Sequence, residues 1–390
     1  MNRKLLQLLL VSSLPTLLTA CSGANESRQI QRLGHDFIVE TLSNAEDFPT
    51  VEVDPDCDSH LAKILCVSDD KELGFDKNCS FEKVQPQQIA ALQNFVKELP
   101  PFHQKVMCHL NRVQIQNNIY SIAYASGIAG PEYFRIGNMI GLRPEVLEKG
   151  SVTDDLFSWK EQLNFGLSQP NDPERKPSPL GPQVIDRVPP EFSQYLSVII
   201  HELNHLVDYM NRANEINYAD CVEDEHQPYL FVCQSGEKSF SRLSWGETTY
   251  TIMAPPEVPD EELNKLKIPG PAWHSTWPLA GKLCFYNCQE TIPVEFMQAT
   301  YAEVAKTNFV TPYSTQSSYE DFAEAATYYT LNKTGVEFEY KVLSATGQVY
   351  FDGFKQFQSD LFKSKRDWLS EFFAKDLVYQ VQPRQPQKSE

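Results

Sequence analysis

Leu196-Ser-Val-Ile-Ile-His201-Glu202-Leu-Asn-His205-Leu-Val-Asp-Tyr-Met210 is the stretch on which the reading of this chain turns. Phe192, Leu196, Ile199, Leu203, Leu206 and Met210 recur at three- and four-residue spacing, which predicts a helix from Glu191 to about Arg212. Positions i and i+4 share one helical face, one turn apart. His201 and His205 therefore project side by side, and their imidazoles can hold one Zn²⁺ at about 2.0–2.1 Å each. Glu202 is rotated by about 100° from His201, beside such a metal, where it can serve as a general base rather than a ligand. Val198, Ile199, Ile200, Leu203 and Leu206 can bury the helix in a core that holds both ligands rigid. With eight His among 390 residues, the pattern arises by chance in roughly 1% of chains of this composition.

A catalytic zinc needs a third protein ligand and an open fourth position. The metzincin pattern would continue with Gly and His at the third and sixth residues after the second His. Asp208 and Asn211 stand there, which excludes it. Asp208 can instead orient an imidazole. Glu223 and Glu225 are near enough in sequence for a ligand on the next helix, but Cys221, Pro228 and Cys233 make that stretch a poor helix. A better source is Tyr313-Ser-Thr-Gln-Ser-Ser-Tyr-Glu320-Asp-Phe-Ala-Glu324-Ala-Ala. Ser317 or Ser318 can cap a helix there, with an acidic residue three positions later. Glu320 and Glu324 then share a face, and Ala323, Ala325 and Ala326 leave room for close packing on the first helix.

His-Glu-x-x-His, followed downstream by Glu-Asp-Phe-Ala-Glu with a Tyr seven residues before its first Glu, resembles the catalytic domain of anthrax lethal factor and its zincin relatives. The resemblance covers residues 120–335, and its specific part is these two short stretches. It implies an α+β fold: a zincin-like metallopeptidase domain with a small mixed sheet, an active-site helix and a C-terminal helical part. By position it makes Glu320 the third zinc ligand, Glu324 its support from the outer shell, and Tyr313 the donor to the oxyanion. The segment between the motifs is far longer here and holds the four later cysteines. The toxin's large protein-docking region has no counterpart.

Arg3 and Lys4, the apolar stretch Leu5 to Leu18, and then Leu18-Thr19-Ala20-Cys21 have the order of an export signal. The small residues followed directly by Cys resemble the lipobox of bacterial lipoproteins. That resemblance implies a lipid-bearing Cys21 as the mature N-terminus, and Ser22 in place of Asp implies the outer membrane, facing the periplasm or the surface. Removing Cys21 leaves eight of the nine cysteines, which allow 105 pairings. Four precede residue 109 and four follow residue 220. Pairing within each cluster is expected, Cys221–Cys233 and Cys284–Cys288 foremost. No CxxC pair suggests a cysteine zinc site.

The chain thus reads as a signal peptide (1–20), a tether (21–45), a disulfide-tied lead-in of little helical periodicity (46–85), and a zincin-like catalytic domain (86–382) with an insertion at about 213–290. Within it, helices are expected from Gln88 to Val96, from His103 to Val113, from Val294 to Ala305 and from Ser317 to Leu331. Strands are expected at 119–125 and 133–143, a loop over the proline-rich 166–190, and a disordered tail from Gln382. The strand around Phe134–Leu142 is the expected sheet edge for an extended peptide.

A net charge of −18 excludes a nucleic-acid partner, because phosphate binding needs clustered Lys and Arg. The reading is therefore a zinc metallopeptidase with one Zn²⁺ per chain, acting on protein or peptide and tied to a membrane through Cys21. The alternatives are a zinc hydrolase of cell-wall peptides and a non-catalytic zinc-containing lipoprotein that binds a partner.

Overall fold

The computed structural model describes residues 39–41, 53–68, 79–117, 119, 121–129, 135–147, 155–169, 176–252, 277, 279–283, 285 and 290–379. The signal peptide, Cys21, most of the tether and the tail from Gln382 lie outside the described residues.

Strand β1 (Val39–Thr41) is followed by helix α1 (Cys57–Ile64), which the Asp56 side chain caps by accepting from the Ser59 N–H at 3.2 Å. Next come β2 (Leu65–Ser68), β3 (Cys79–Ser80), α2 (Pro86–Glu98) and α3 (Pro101–Met107). Two prolines, Pro100 and Pro101, separate α2 from α3, since the residue before a proline avoids helical geometry. The described parts of the stretch 46–85, residues 53–68 and 79–85, are thus more regular than their weak periodicity suggested. The helix expected from His103 to Val113 stops at Met107, and β4 (Arg112–Ile115), buried at every position, takes over. A short continuous apolar run fits a buried strand as well as a helix end, and here the sheet claims it.

Then follow β5 (Ala123–Ala129), β6 (Arg135–Leu142), α4 (Asp155–Leu163), β7 (Gln183–Arg187) and α5 (Leu196–Asn211). β7 lies inside the stretch expected to be loop. The insertion carries β8 (Ile216–Glu223), β9 (Leu230–Ser235) and β10 (Thr248–Ile252), an antiparallel three-stranded sheet. The remainder holds α6 (Met297–Val304), α7 (Ser318–Thr334), β11 (Glu339–Leu343), β12 (Val349–Asp352), α8 (Gly353–Gln358) and α9 (Lys363–Phe373).

The architecture is α+β. Its main sheet has the order β1-β5-β6-β4-β2-β3. β2, β4 and β6 run parallel, while β5 runs antiparallel to β6. Gly141 in β6 is required because the Tyr124 ring of β5 lies over it, where any side chain would collide. β6 is therefore an interior strand, with β5 on one side and β4 on the other, and cannot be the peptide-pairing edge expected of Phe134–Leu142. β1 pairs with Gly127–Ala129 at the far end of β5. A separate antiparallel sheet joins β7 to the β11–β12 hairpin.

α5 packs across β5 on one side and along α7 on the other. Leu196, Ile199, Ile200, Leu203, Leu206 and Val207 of α5 are fully buried. Each such side chain stabilises the fold by about 1.5–3 kcal/mol relative to exposure, so this helix is among the most firmly held elements. Cys57–Cys108, Cys66–Cys79 and Cys221–Cys233 form disulfides, each within its own cluster. Cys284 and Cys288 lie outside the described residues. No helix among the described residues is long and apolar enough to cross a membrane.

Candidate metal centre

Two helices build the site. α5 begins at Leu196, later than Glu191, because Pro189 to Ser193 forms turns. It ends where Arg212 adopts a left-handed conformation (φ 53°) and returns its N–H to the Asp208 carbonyl. α7 starts at Ser317, whose hydroxyl accepts from the Glu320 N–H at 3.2 Å. Glu320 and Asp321 in its first turn sit favourably at the positive end of the helix dipole. Ala323, Ala325 and Ala326 are fully buried, so α7 lies close against its neighbours and carries Glu320 and Glu324 to the histidines.

The ligand atoms form a tight triangle. His201 Nε2 lies 3.1 Å from His205 Nε2 and 3.0 Å from Glu320 Oε2, and His205 Nε2 lies 3.4 Å from Glu320 Oε2. Three ligands placed tetrahedrally around zinc at about 2.0–2.1 Å would be about 3.3 Å apart. His201 Nδ1 faces Glu324 Oε1 at 2.8 Å, a charge contact without hydrogen-bond alignment. That contact favours the tautomer with hydrogen on Nδ1, which leaves the Nε2 lone pair pointing into the triangle. Glu320 Oε2 is buried with no hydrogen-bond donor aligned on it. Two imidazole nitrogens and an unpartnered carboxylate oxygen, the combination zinc prefers, thus fit the metal.

Tyr313 reaches the same place. Its hydroxyl donates to Glu320 Oε1 at 2.9 Å, and its ring centroid lies 6.0 Å from that of His201. Glu202 lines the cavity that opens beside His201 and Tyr313. All six expected residues (His201, Glu202, His205, Tyr313, Glu320 and Glu324) therefore meet. Glu223 and Glu225 are exposed on the β8–β9 hairpin, away from the triangle.

The electrostatics follow from this crowding. Burial opposes protonation of His201, but Glu320 and Glu324 outweigh it and hold its pKa well above the usual imidazole value. Burial raises Glu320, yet His205 and His201 overcome that and keep it well below the ordinary carboxylate range. Glu202 is raised, chiefly by burial, which His201 and His205 only partly offset. A carboxyl that takes up a proton more readily than an exposed one suits a group that accepts and returns a proton.

The far side of these helices is tied by hydrogen-bonded polar groups. Asn204, inside the motif, accepts from His103 Nε2 at 3.0 Å and donates to Thr327 Oγ1 of α7 at 3.2 Å. Burial pushes the His103 ring down to about 4, so it stays neutral. Asp208 accepts from the Asn214 backbone at 2.7 Å and from its side chain at 2.6 Å, closing the turn after α5 rather than orienting an imidazole. Asp321 pairs with Lys365 of α9 at 2.6 Å, both wholly buried, and takes a bond from Trp245 Nε1 at 3.3 Å.

One residue of the site has no local signal in the sequence. Glu161 of α4 lines the cavity and is only 3% exposed. Its two oxygens accept from Tyr301 and Tyr340, each at 2.9 Å, residues 140 and 179 positions away. Burial raises its pKa to about 7 despite these two bonds. Compared with known proteins, the chain matches no family model, no curated protein and no solved structure.

Proposed function

We propose that this chain is a zinc-dependent metallopeptidase of zincin type, exported and anchored through a lipid on Cys21. The observation that carries the reading is the triangle of His201 Nε2, His205 Nε2 and Glu320 Oε2 with Glu202 lining the cavity beside it. A purely structural zinc would be closed by four protein ligands and would need no neighbouring base.

Zn²⁺ held by these three atoms would supply Lewis acidity, polarising a carbonyl and acidifying a water. Glu202 takes the proton from the attacking water and passes it to the leaving amide nitrogen. Glu324 holds His201 in the tautomer whose Nε2 is free. Tyr313 can swing its hydroxyl from Glu320 to the developing oxyanion, a donation worth about 10²–10³ in rate where it has been measured in other enzymes.

The test is Glu202→Gln. The variant should keep its zinc and its melting temperature while peptide cleavage falls by about 10²–10⁴. Undiminished cleavage would end the proposal.

A further inference from the structure

The cavity beside the triangle holds more acid than the reaction uses. Glu202 and Glu324 have roles there, but Asp186 and Glu161 also line it. Asp186 accepts from Ser197 Oγ at 3.0 Å. Lys160 also lines it, and its ammonium lies 3.3 Å from the centre of the Tyr313 ring.

Glu161 is the unusual member. A carboxyl this deeply buried is ordinarily paired with a cation, because ionising it without one is costly. Here two neutral phenols hold it, and among the described residues it forms no ion pair. We propose that this cavity takes a cationic side chain of the substrate, lysine or arginine, with Glu161 as the anchor of its charge; the proposal rests on the peptidase reading.

Shape and lining agree with charge. The space is about 100 Å³. An apolar cavity of about 150 Å³ is known to take a benzene ring, so this one suits a slim unbranched chain. Phe157, Trp159 and Phe338 flank it. Their faces can hold an alkyl stem and add a cation–π attraction to the charged end. Glu161 is only 3% exposed, so its attraction for an ammonium is screened less than in water. An aromatic or aliphatic occupant would form no ion pair with Glu161.

Two measurements test this on the whole zinc-loaded protein. The first compares cleavage of peptides that carry Lys, Arg, norleucine or Glu at each position flanking the scissile bond. At one position, kcat/KM for Lys should exceed that for norleucine, its uncharged near-isostere, about tenfold or more. Glu161→Gln should bring that ratio close to one. The second measures binding of N-acetyl-lysine amide and N-acetyl-norleucine amide by calorimetry, which needs no turnover. The lysine ligand should bind more tightly, and Glu161→Gln should remove the difference.

Cleavage without preference for Lys over norleucine overturns the pocket assignment and leaves the peptidase reading standing. Selective binding of the lysine ligand without cleavage of any peptide supports the pocket and sinks the peptidase reading. A preference for Glu would assign the cavity to Lys160 and overturn the proposal. The wild-type comparisons decide these points even if the Glu161 variant does not fold.

Discussion

The two faces of the α5–α7 pair carry equally polar residues in opposite states. On the side away from the cavity, His103, Asn204 and Thr327 are joined by hydrogen bonds, with His103 Nδ1 left without one, and Asp321 meets Lys365. On the cavity side, His201, His205 and Glu320 bring acceptor atoms within 3.0–3.4 Å of each other, and Glu320 Oε2 has no aligned donor. Buried polar groups in native proteins are nearly always paired. The first face ties the two helices together, while the second gathers three atoms that could hold a metal.

Breaking the scaffold face should cost stability. Lys365→Met leaves Asp321 buried without its counter-ion and should remove about 3–5 kcal/mol, read by urea unfolding. Asp321→Leu with Lys365→Met should recover most of that, since a buried pair replaced by apolar groups is often neutral. No recovery would mean that the pair also sets the backbone of α7.

Glu161 sharpens the contrast through pH. Its folded pKa is about 7 against an ordinary 4.5, so the folded chain holds this proton longer than the unfolded one. Its contribution is therefore fully present below about 4.5 and is lost as pH rises to about 7, a change on the order of 3 kcal/mol. Comparing wild type with Glu161→Gln by unfolding across pH 4–8 isolates this slope. Identical pH dependence in both would contradict the burial argument.

Asn204→Ala should have the smallest effect. It strands Nε2–H of the neutral His103 ring, while the Thr327 hydroxyl keeps its bond to the Ala323 carbonyl, a loss of about 1–3 kcal/mol in unfolding measurements, with zinc content at that of the wild type. Loss of metal in this variant would place Asn204 on the other side of the comparison.

The sequence announces the two helices and the ligands because their signals are local. Apolar spacing marks α5, a Ser cap and a pair of acids mark the start of α7, and i, i+4 spacing makes His201 and His205 neighbours. What it hides is set by distant pairing. β7 sits in a proline-rich stretch and becomes a strand by pairing with β11, whose residues lie some 150 positions on. Whether β6 is an edge or an interior strand depends on β4 and β5 lying on its two sides, which no alternation pattern within 135–142 reveals. Glu161 looks like any acid on an amphipathic helix until Tyr301 and Tyr340 close over it.

The central claim is that His201, His205 and Glu320 hold one catalytic zinc. X-ray absorption at the zinc edge on the purified protein, with metal content measured alongside, tests it most directly. The account predicts one zinc per chain with two imidazole nitrogens and oxygen ligands at about 2.0–2.2 Å, reduced to trace occupancy in a His201→Ala, Glu320→Ala variant. Sulfur in the coordination shell, or full zinc content in that variant, would contradict it.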